Sequence, residues 1–354
     1  MKTQVKRQLH EVDLHITNRC KNSCPHCNVS SPEPMPEMST EAIFLFLEQA
    51  AVLGAHELHI TGGEPFLRKD IYTIIKKATD LGMRVETLTS IPLSLSDMQY
   101  LHEVKLDYLA ISLDGAQEYQ DFLRCEGNYQ DSIENIKKAL QCGLKVRVNT
   151  FLWKDNIEQI YELFNVTHEL GVTKHVVFYF TPIGRGELHL DKWMNLSEWK
   201  HMCDRMRTFL QTEVIPLPEN KTKYIIQRGY YNNGKEITSK EGTCRLIERQ
   251  NLVLLCDGTI YPCVMFMKIN KELGNINKRS LSEIWNDEDS WRNYRYDLNG
   301  NETCLKCDQL EYCMGGCPGY SYLFKKDINA GDYRCNDREE PFPACIWYTE
   351  HINE

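Results

Sequence analysis

The sequence has no apolar run of transmembrane length, and its start lacks the apolar segment that a secretory signal requires. It also lacks an excess of positive charge, because 41 lysines and arginines stand against 50 aspartates and glutamates. The resulting net charge of −9 disfavours a nucleic-acid groove or an anionic membrane surface as the partner. These absences predict a cytoplasmic protein that binds neither nucleic acid nor membrane.

Disulfide bonds are a further expected absence, since cytoplasmic thiols are kept reduced, yet the chain has 15 cysteines. Their distribution is uneven, with six in residues 1–243 and nine in residues 244–354. Clustered thiols in a reducing compartment indicate metal or redox chemistry. The uneven distribution predicts two regions with different roles.

Strand-like and helical patterns alternate along the first 215 residues. The short apolar runs that predict strands are 12–17, 57–61, 84–90, 106–113, 145–152 and 174–180. The helical patterns, each ending at a glycine, are 40–54, 71–82, 129–143 and 157–171. This alternation predicts βαβ units and a parallel sheet, curved into a partial barrel with its site at the C-terminal ends of the strands.

The alternation stops after residue 215. Residues 216–243 are polar and rich in turn formers, which predicts a connecting segment. Residues 244–354 contain short strand-like pieces and many cysteines, so metal ligation could replace part of a hydrophobic core there. The expected organisation is therefore a barrel over 1–215, a connection over 216–243 and a small cysteine-rich domain over 244–354.

The first cysteine cluster, CKNSCPHC, follows the first predicted strand at once. Its thiols, Cys20, Cys24 and Cys27, have the spacing C-x3-C-x2-C. Thiolates select zinc or iron–sulfur clusters. A structural zinc ion needs four ligands, for which His26 is the available fourth. A 4Fe–4S cluster held by three cysteines instead leaves one iron open to a substrate or cofactor, and the spacing favours this second interpretation.

This pattern resembles the signature of radical S-adenosylmethionine (SAM) enzymes, in which C-x3-C-x2-C follows strand one of a partial (β/α)6 barrel. The resemblance spans about residues 11–215. It implies that the amino and carboxylate groups of SAM bind the open iron. It also implies that TGGEP, with Gly62, Gly63 and Glu64, holds the SAM ammonium group.

Weaker matches extend the resemblance to later strands. Ser112 and Asp114, at the end of strand four, resemble family positions near the ribose of SAM. Arg124 resembles the arginine that pairs with the SAM carboxylate, and Asn149 points from strand five. Each of these residues has an alternative interpretation as an ordinary polar residue at a strand end or on the surface.

The second cysteine region has the string C-x13-G-x4-C followed by C-x2-C-x5-C-x3-C-x17-C. It resembles the SPASM domain, a small α+β domain that carries auxiliary iron–sulfur clusters; a pair of zinc ribbons is the alternative. The resemblance implies a first auxiliary 4Fe–4S cluster on Cys244, Cys263 and Cys317, with Cys256 as the candidate fourth ligand. It implies a second cluster on Cys304, Cys307, Cys313 and Cys335. We expect Cys345 to be a plain buried thiol.

The resemblance also implies the chemistry, namely reductive cleavage of SAM and abstraction of hydrogen from a substrate C–H bond. An external one-electron reductant of the flavodoxin or ferredoxin type would supply the electron. SPASM proteins mostly modify peptides or protein side chains, which is our first expectation. A dehydrogenase or epimerase of sugars or aminoglycosides is the alternative, and a pure electron carrier is a distant third.

Two departures from the family bear on the substrate. Only ten residues precede the first strand, so we expect a separate partner to supply any peptide-recognition domain. Val264 follows Cys263, where sulfatase-maturing members have an aspartate base, and the sequence indicates no other base. Cys256 has a second possible role as a free thiol that donates hydrogen to a substrate radical.

Two loop regions are candidates for substrate contact. Arg185 follows the sixth predicted strand, where barrel enzymes place functional loops. In the predicted connection the candidates are Tyr224, Arg228, Tyr230 and Tyr231, for which a solvated linker is the favoured alternative.

Overall fold

The computed structural model describes residues 8–29, 35–214, 222–229, 244, 246–267, 272–307, 310, 314–332 and 347–351. Its strands are β1 (Glu11–Thr17), β2 (Glu57–Gly62), β3 (Arg84–Thr89), β4 (Tyr108–Ser112), β5 (Val146–Leu152), β6 (Lys174–Tyr179), β7 (Lys223–Gly229), β8 (Asn251–Leu254), β9 (Thr259–Tyr261), β10 (Gly274–Asn275) and β11 (Trp347–His351). They form one sheet in the order β10-β9-β8-β1-β2-β3-β4-β5-β6-β7-β11.

Helices separate the strands of the first region and continue into the second. They are α1 (Thr40–Val52), α2 (Ile71–Asp80), α3 (Leu95–Glu103), α4 (Gln117–Leu123), α5 (Asn128–Gln141), α6 (Gln159–Leu170), α7 (Leu196–Phe209), α8 (Leu281–Asn286), α9 (Glu302–Leu305) and α10 (Pro318–Lys325). In the described part of the chain, no helix combines the length and the apolar character needed to cross a membrane.

The strands from β1 to β7 pair in parallel with their sequence neighbours, as the alternation of patterns predicts. The four glycines predicted to end helices, Gly54, Gly82, Gly143 and Gly171, have φ angles between 70° and 104°. This left-handed conformation suits glycine at a helix end. The expected α/β barrel architecture is confirmed.

The inner and outer faces of the strands differ in chemistry. On β1 the alternate residues Val12, Leu14 and Ile16 have no exposed surface and join the hydrophobic core. The intervening Asp13 and His15 line a cavity, together with residues from β2 to β6. Because side chains alternate along a strand, one face of the sheet is polar and borders the cavity, and the other is apolar and belongs to the hydrophobic core.

Within residues 1–215 the structure has three helices beyond the four predicted, and two later strands join the barrel sheet. α3, α4 and α7 were not predicted, although a capping box of Ser94 and Asp97 begins α3. β7 lies inside the predicted connection and pairs with β6 and β11. β8 lies in the predicted cysteine-rich domain, yet it pairs in parallel with β1 and extends the barrel sheet. Both strands depend on long-range partners that local composition does not reveal.

Candidate active site

The three cysteines after β1 lie on one loop at the C-terminal ends of the parallel strands. We call residues 20–27 the cluster loop. Burial raises the pKa of the Cys24 thiol to about 11; Arg124 lowers it, and Cys27 and Cys20 raise it. Burial also raises the pKa of Cys20, and Cys27 adds to that increase. Each thiol is thus within electrostatic reach of the other two. Three converging soft donors could hold an iron–sulfur cluster.

The glycines of TGGEP lie directly against this loop. A Cβ atom on Gly62 would lie 2.2 Å from the Thr17 carbonyl oxygen, and one on Gly63 would lie 2.1 Å from the Arg19 carbonyl oxygen. Gly62 also has a φ of 129°, which residues with side chains rarely adopt. The Gly63 N–H donates to the Thr17 carbonyl oxygen at 2.7 Å. Glycine is therefore required at both positions for the end of β2 to reach the cluster loop.

Glu64 is fully buried beside the same loop. Its carboxylate accepts hydrogen bonds from the Ser90 N–H at 2.8 Å, the Ser90 hydroxyl at 3.1 Å and the Phe66 N–H at 3.3 Å. Burial raises the pKa of Glu64, and its charge in turn raises the pKa of Cys20. This fixed carboxylate could pair with a cationic group of a ligand on the cluster.

Asp114 and Arg124 form a buried ion pair below the cluster loop. Asp114 Oδ2 accepts from Arg124 Nη2 at 2.5 Å and from Nε at 2.9 Å, and Oδ1 accepts from the Phe151 N–H at 2.8 Å. Arg124 Nη1 lies 3.9 Å from Cys24 Sγ. Burial lowers the pKa of Arg124, but the charges of Asp114 and Cys24 raise it by more. Asp114 therefore anchors Arg124, and its expected place near the ribose of SAM stays a prediction.

One cavity of about 300 Å³ begins at the three cysteines and runs into the barrel. Gly62, Gly63, Ser112 and Arg124 line it, as does Asn149. Asn149 is only 7% exposed, and among the described residues its Oδ1 has no hydrogen-bond partner. The structure thus brings these sequence-predicted residues to one cavity, and Asn149 offers it a free buried acceptor.

Deeper in the same cavity lies a charged layer formed by Asp13, His59, Glu86 and Arg147. Asp13, His59 and Glu86 are register partners on β1, β2 and β3. His59 Nδ1 lies 3.2 Å from Asp13 Oδ1, His59 Nε2 lies 4.0 Å from Glu86 Oε2, and Arg147 pairs with Glu86. Sequence reasoning missed this layer. The available signal was charge at alternate positions of strands that a parallel sheet buries on both faces.

The cysteines expected to hold the first auxiliary cluster also converge. Burial raises the pKa of Cys244 to about 12, with a further increase from Cys317. Burial raises the pKa of Cys263 well above its usual range, and Cys244, Cys317 and Asp13 add to the increase. These three thiols therefore lie together, near the charged layer. Their donor chemistry fits an iron–sulfur cluster.

Cys256 does not join this group, contrary to the expectation that it supplies the fourth ligand. β8 and β9 form a hairpin in which Val253 is opposite Tyr261, and the Leu255 N–H donates to the Thr259 carbonyl oxygen at 2.8 Å. Cys256 lies in the turn, and Cys263 lies beyond the other end. At the rise of a strand the two are on the order of 15 Å apart, too far to share one cluster.

Cys256 instead lines a second cavity of about 280 Å³, together with His15 and Thr17 of β1. Burial raises the pKa of its thiol to about 11, and Asp257 and Glu37 add to the increase. The thiol is therefore protonated at neutral pH. Its alternative role as a hydrogen donor stays a prediction.

The cysteines expected for the second auxiliary cluster are described only in part. Cys304 and Cys307 are neighbours, since the Cys307 N–H donates to the Cys304 carbonyl oxygen at 3.1 Å. The remaining cysteines of the C-terminal pattern, Cys313, Cys335 and Cys345, lie outside the described residues.

Arg185 lines the cavity and also donates two hydrogen bonds to the cluster loop. Its Nε donates to the Cys24 carbonyl oxygen at 2.8 Å, and its backbone N–H donates to the Cys27 carbonyl oxygen at 3.0 Å. A change at Arg185 therefore acts on the cluster loop directly, in addition to any contact with substrate.

Tyr224 is a core residue, so its assignment to substrate contact, or to a solvated linker, is wrong. It is fully buried on β7, and its hydroxyl donates to the Phe164 carbonyl oxygen at 3.3 Å. Arg228 is paired through its backbone with Tyr348 of β11. Residues 230–231, which include the other two candidate tyrosines, lie outside the described part of the chain.

These features are typical of one class of protein: an enzyme whose cysteines would hold metal clusters beside the polar interior of a parallel partial barrel. Comparison with known proteins makes the class specific. Residues 14–167 match the model of the radical SAM superfamily, and residues 244–308 match that of the SPASM iron–sulfur cluster-binding domain. The chain is a radical SAM enzyme with a C-terminal SPASM domain, and its cofactors are iron–sulfur clusters and SAM.

Individual relatives are distant but nearly full-length. The chain is 25% identical over 352 residues to an AdoMet-dependent heme synthase of Methanosarcina barkeri, covering 94% of this chain and 95% of that protein. It is 24% identical over 326 residues to a PqqA peptide cyclase of Rhizobium meliloti, covering 90% and 85%. Streptococcus suis SuiB bound to its precursor peptide SuiA has a similar fold, with a TM-score of 0.79, 22% identity and coverage of 93% and 76%.

Proposed function

We propose that this enzyme oxidatively modifies a peptide or protein side chain inside the barrel. One observation carries the proposal: a single cavity leads from the cluster loop at one end to the charged layer, and Asp13 of that layer acts electrostatically on Cys263. A substrate in this cavity would lie between the thiols of Cys20, Cys24 and Cys27, which would hold the SAM-binding cluster, and the side of the barrel near Cys263, which would help to hold an electron acceptor. That order suits a reaction in which substrate loses a hydrogen atom and then an electron.

The residues of the cluster loop fit the cofactors of the family. Cys20, Cys24 and Cys27 would hold the SAM-binding cluster. Glu64, presented by Gly62 and Gly63, would face the SAM ammonium group, and Arg124, anchored by Asp114, its carboxylate. Ser112 and Asn149 would contact the remainder of SAM. When bound, SAM and the reduced cluster supply a 5′-deoxyadenosyl radical that abstracts hydrogen from an unactivated C–H bond.

Two auxiliary clusters complete the proposal. Cys244, Cys263 and Cys317 would hold the first, and Cys304, Cys307, Cys313 and Cys335 the second. An external one-electron donor of the flavodoxin or ferredoxin type would reduce the SAM-binding cluster. A chain with 15 cysteines and reduced clusters suits the reducing cytoplasm, where we place the enzyme.

Support for a peptide substrate comes from relatives of two kinds. The PqqA peptide cyclases match most of this chain in sequence, and SuiB matches its fold in a complex with a precursor peptide. The heme synthases favour a second candidate substrate, a tetrapyrrole, because their match extends over nearly the whole of both chains.

The test begins with anaerobic reconstitution, which should load on the order of twelve irons per chain if three 4Fe–4S clusters form. The enzyme is then incubated with SAM, dithionite and one candidate substrate. The candidates are peptides encoded beside its gene, an iron porphyrin with carboxylate side chains, and an aminoglycoside. Mass spectrometry should show a peptide that has lost two hydrogens, formed together with 5′-deoxyadenosine.

The Cys20→Ala, Cys24→Ala, Cys27→Ala triple variant is the control for chemistry that does not need the SAM-binding cluster. Turnover of the porphyrin or the aminoglycoside, with no peptide modified, would contradict the peptide proposal. Zinc in place of iron, or only about four irons per chain, would contradict the assignment of the C-terminal cysteines.

A further inference from the structure

Oxidation of a substrate radical releases a proton as well as an electron, and the sequence indicates no residue to accept it. The position after Cys263 is occupied by Val264, which has no acidic or basic group. The charged layer lies in the same cavity as the cluster loop and contains an imidazole, that of His59. A proton acceptor in this layer would lie beside a substrate in the cavity, on the side nearer to the triad of Cys244, Cys263 and Cys317.

The geometry of His59 orients one ring nitrogen and leaves the other available. Nδ1 lies 3.2 Å from Asp13 Oδ1 and 3.7 Å from Glu11 Oε1, so a proton on Nδ1 is held by the carboxylates of β1. Nε2 lies 4.0 Å from Glu86, which is beyond hydrogen-bonding distance. Glu86 is itself paired with Arg147. His59 is one-third exposed and is among the residues that line the cavity.

We propose that His59 is the general base of the reaction, and that its Nε2 accepts the proton released when the substrate radical is oxidised. Asp13 is the positioning residue that selects the tautomer with hydrogen on Nδ1. This arrangement follows the general pattern in which a carboxylate orients an imidazole and stabilises the imidazolium that forms. The inference rests on the proposed function and adds a residue to it.

The step balances for the formation of a bond between a substrate carbon and a second substrate group, X–H. The C–H bond breaks, and its hydrogen atom leaves with the SAM-derived radical. As the C–X bond forms, the X–H bond breaks and its proton moves to Nε2. A cluster held by Cys244, Cys263 and Cys317 would supply the acceptor for the one electron that is released. The substrate therefore loses two hydrogens in total: one as an atom, and the other as a proton and an electron.

The surroundings of His59 tune it for this role. Burial and the charge of Arg147 lower the pKa of His59. The hydrogen bond and charge of Asp13 and the charge of Glu86 raise the pKa by more, so the pKa of His59 is raised overall. Glu11 contributes a further carboxylate on the β1 side. A more basic imidazole accepts a proton with a greater driving force near neutral pH.

The first experiment separates hydrogen abstraction from proton transfer. His59→Gln should still produce 5′-deoxyadenosine, and deuterium from a labelled substrate should still appear in it, but product should fall about 10²- to 10⁴-fold. Added imidazole should restore part of the product in His59→Gly, because the vacated space lies in an open cavity. His102→Gln, on the exposed surface of α3, is the matched control and should behave as the unsubstituted enzyme.

The second experiment uses no substrate, so it remains informative if the proposed function fails. Diethyl pyrocarbonate modifies neutral imidazoles, and mass spectrometry of the peptide containing His59 reports its titration in the reconstituted enzyme. The midpoint should lie above the ordinary histidine value of about 6.5 and should fall in Asp13→Asn. Asp80→Asn, at an exposed site on α2, should leave the midpoint unchanged.

Several outcomes would overturn the proposal. Undiminished product in His59→Gln would show that another group takes the proton, and equal loss of product and 5′-deoxyadenosine would show a structural role. A His59 midpoint below 6.5, or one unchanged in Asp13→Asn, would show that Asp13 does not hold the His59 imidazole in the proposed way. A divalent metal bound to Glu11, Asp13 and His59 and lost in His59→Gln would also overturn it, because the metal would occupy the imidazole.

Discussion

The two cysteine triads of this protein differ in how the chain assembles them. Cys20, Cys24 and Cys27 fall within eight residues on one loop, so β1 and its turn suffice to bring the thiols together. Cys244, Cys263 and Cys317 come from separate segments of the C-terminal region and meet only in the folded chain. A local triad can be recognised from its spacing alone, whereas a non-local triad depends on the whole fold.

The two cysteine triads also differ in the residues that surround them. The first triad lines the open cavity, beside glycine backbone and the buried Arg124. In the second triad, Cys317 belongs to the main hydrophobic core, and Cys244 and Cys263 pack against it. The first site is therefore open to a ligand, whereas the second is enclosed by core residues.

The largest expected effect comes from removing the local triad. Replacing Cys20, Cys24 and Cys27 with alanine should abolish SAM cleavage, because the loop contains no other thiolate to hold the cluster. Iron bound through the C-terminal region should remain, so the measurements are 5′-deoxyadenosine and iron per chain. Cys142→Ala, at the end of α5, is the control. Undiminished 5′-deoxyadenosine in the triple variant would refute the division between the two triads.

The second test removes one member of the non-local triad. Cys263→Ala should cost about four irons per chain and abolish product while SAM cleavage continues. Cys256→Ala should keep all its iron, because the hairpin places that thiol at its opposite end. Electron paramagnetic resonance with iron analysis distinguishes the two variants. If both variants lose the same signal, Cys256 and Cys263 bind the same cluster, and the two thiols do not lie at opposite ends of the hairpin.

A third test concerns the ion pair below the local triad. Asp114→Asn leaves the guanidinium of Arg124 buried without its carboxylate, which should lower the free energy of unfolding by about 3–5 kcal/mol. The exposed pair of Lys76 and Asp80 is the comparison, and Asp80→Asn should cost about 0–1 kcal/mol. Thermal unfolding of the two reconstituted variants measures the difference. Equal stabilities would show that Asp114 is dispensable as an anchor.

The smallest expected effect concerns the glycine that faces the cluster loop. In Gly63→Ala the added methyl would press against the Arg19 carbonyl, at a cost of about 1–3 kcal/mol. Because the loop must shift, SAM should bind roughly ten- to a hundredfold more weakly, as measured by equilibrium dialysis. Gly300→Ala, where a Cβ meets nothing within 4 Å, is the control. Unchanged SAM affinity in Gly63→Ala would mean that the cluster loop can move to accommodate the methyl group without weakening SAM binding.

The sequence by itself determined the barrel and its first site. Apolar runs separated by helical patterns predict parallel strands, and short-range spacing places three thiols and two glycines at adjacent strand ends. These features are local, or follow from the rule that parallel strands share one functional edge. For the same reason Gly62, Gly63, Ser112 and Arg124 lie on the cavity where the sequence placed them.

Only the tertiary structure decided how non-local partners meet. The register of the β8–β9 hairpin separated Cys256 from Cys263, and the fold paired Asp114 with Arg124, which lies ten residues further along the chain. The register of β1, β2 and β3 aligned Asp13, His59 and Glu86 in one layer. A strand's sequence fixes which residues share a face, but only pairing fixes which residues stand side by side, and that pairing depends on the whole sheet.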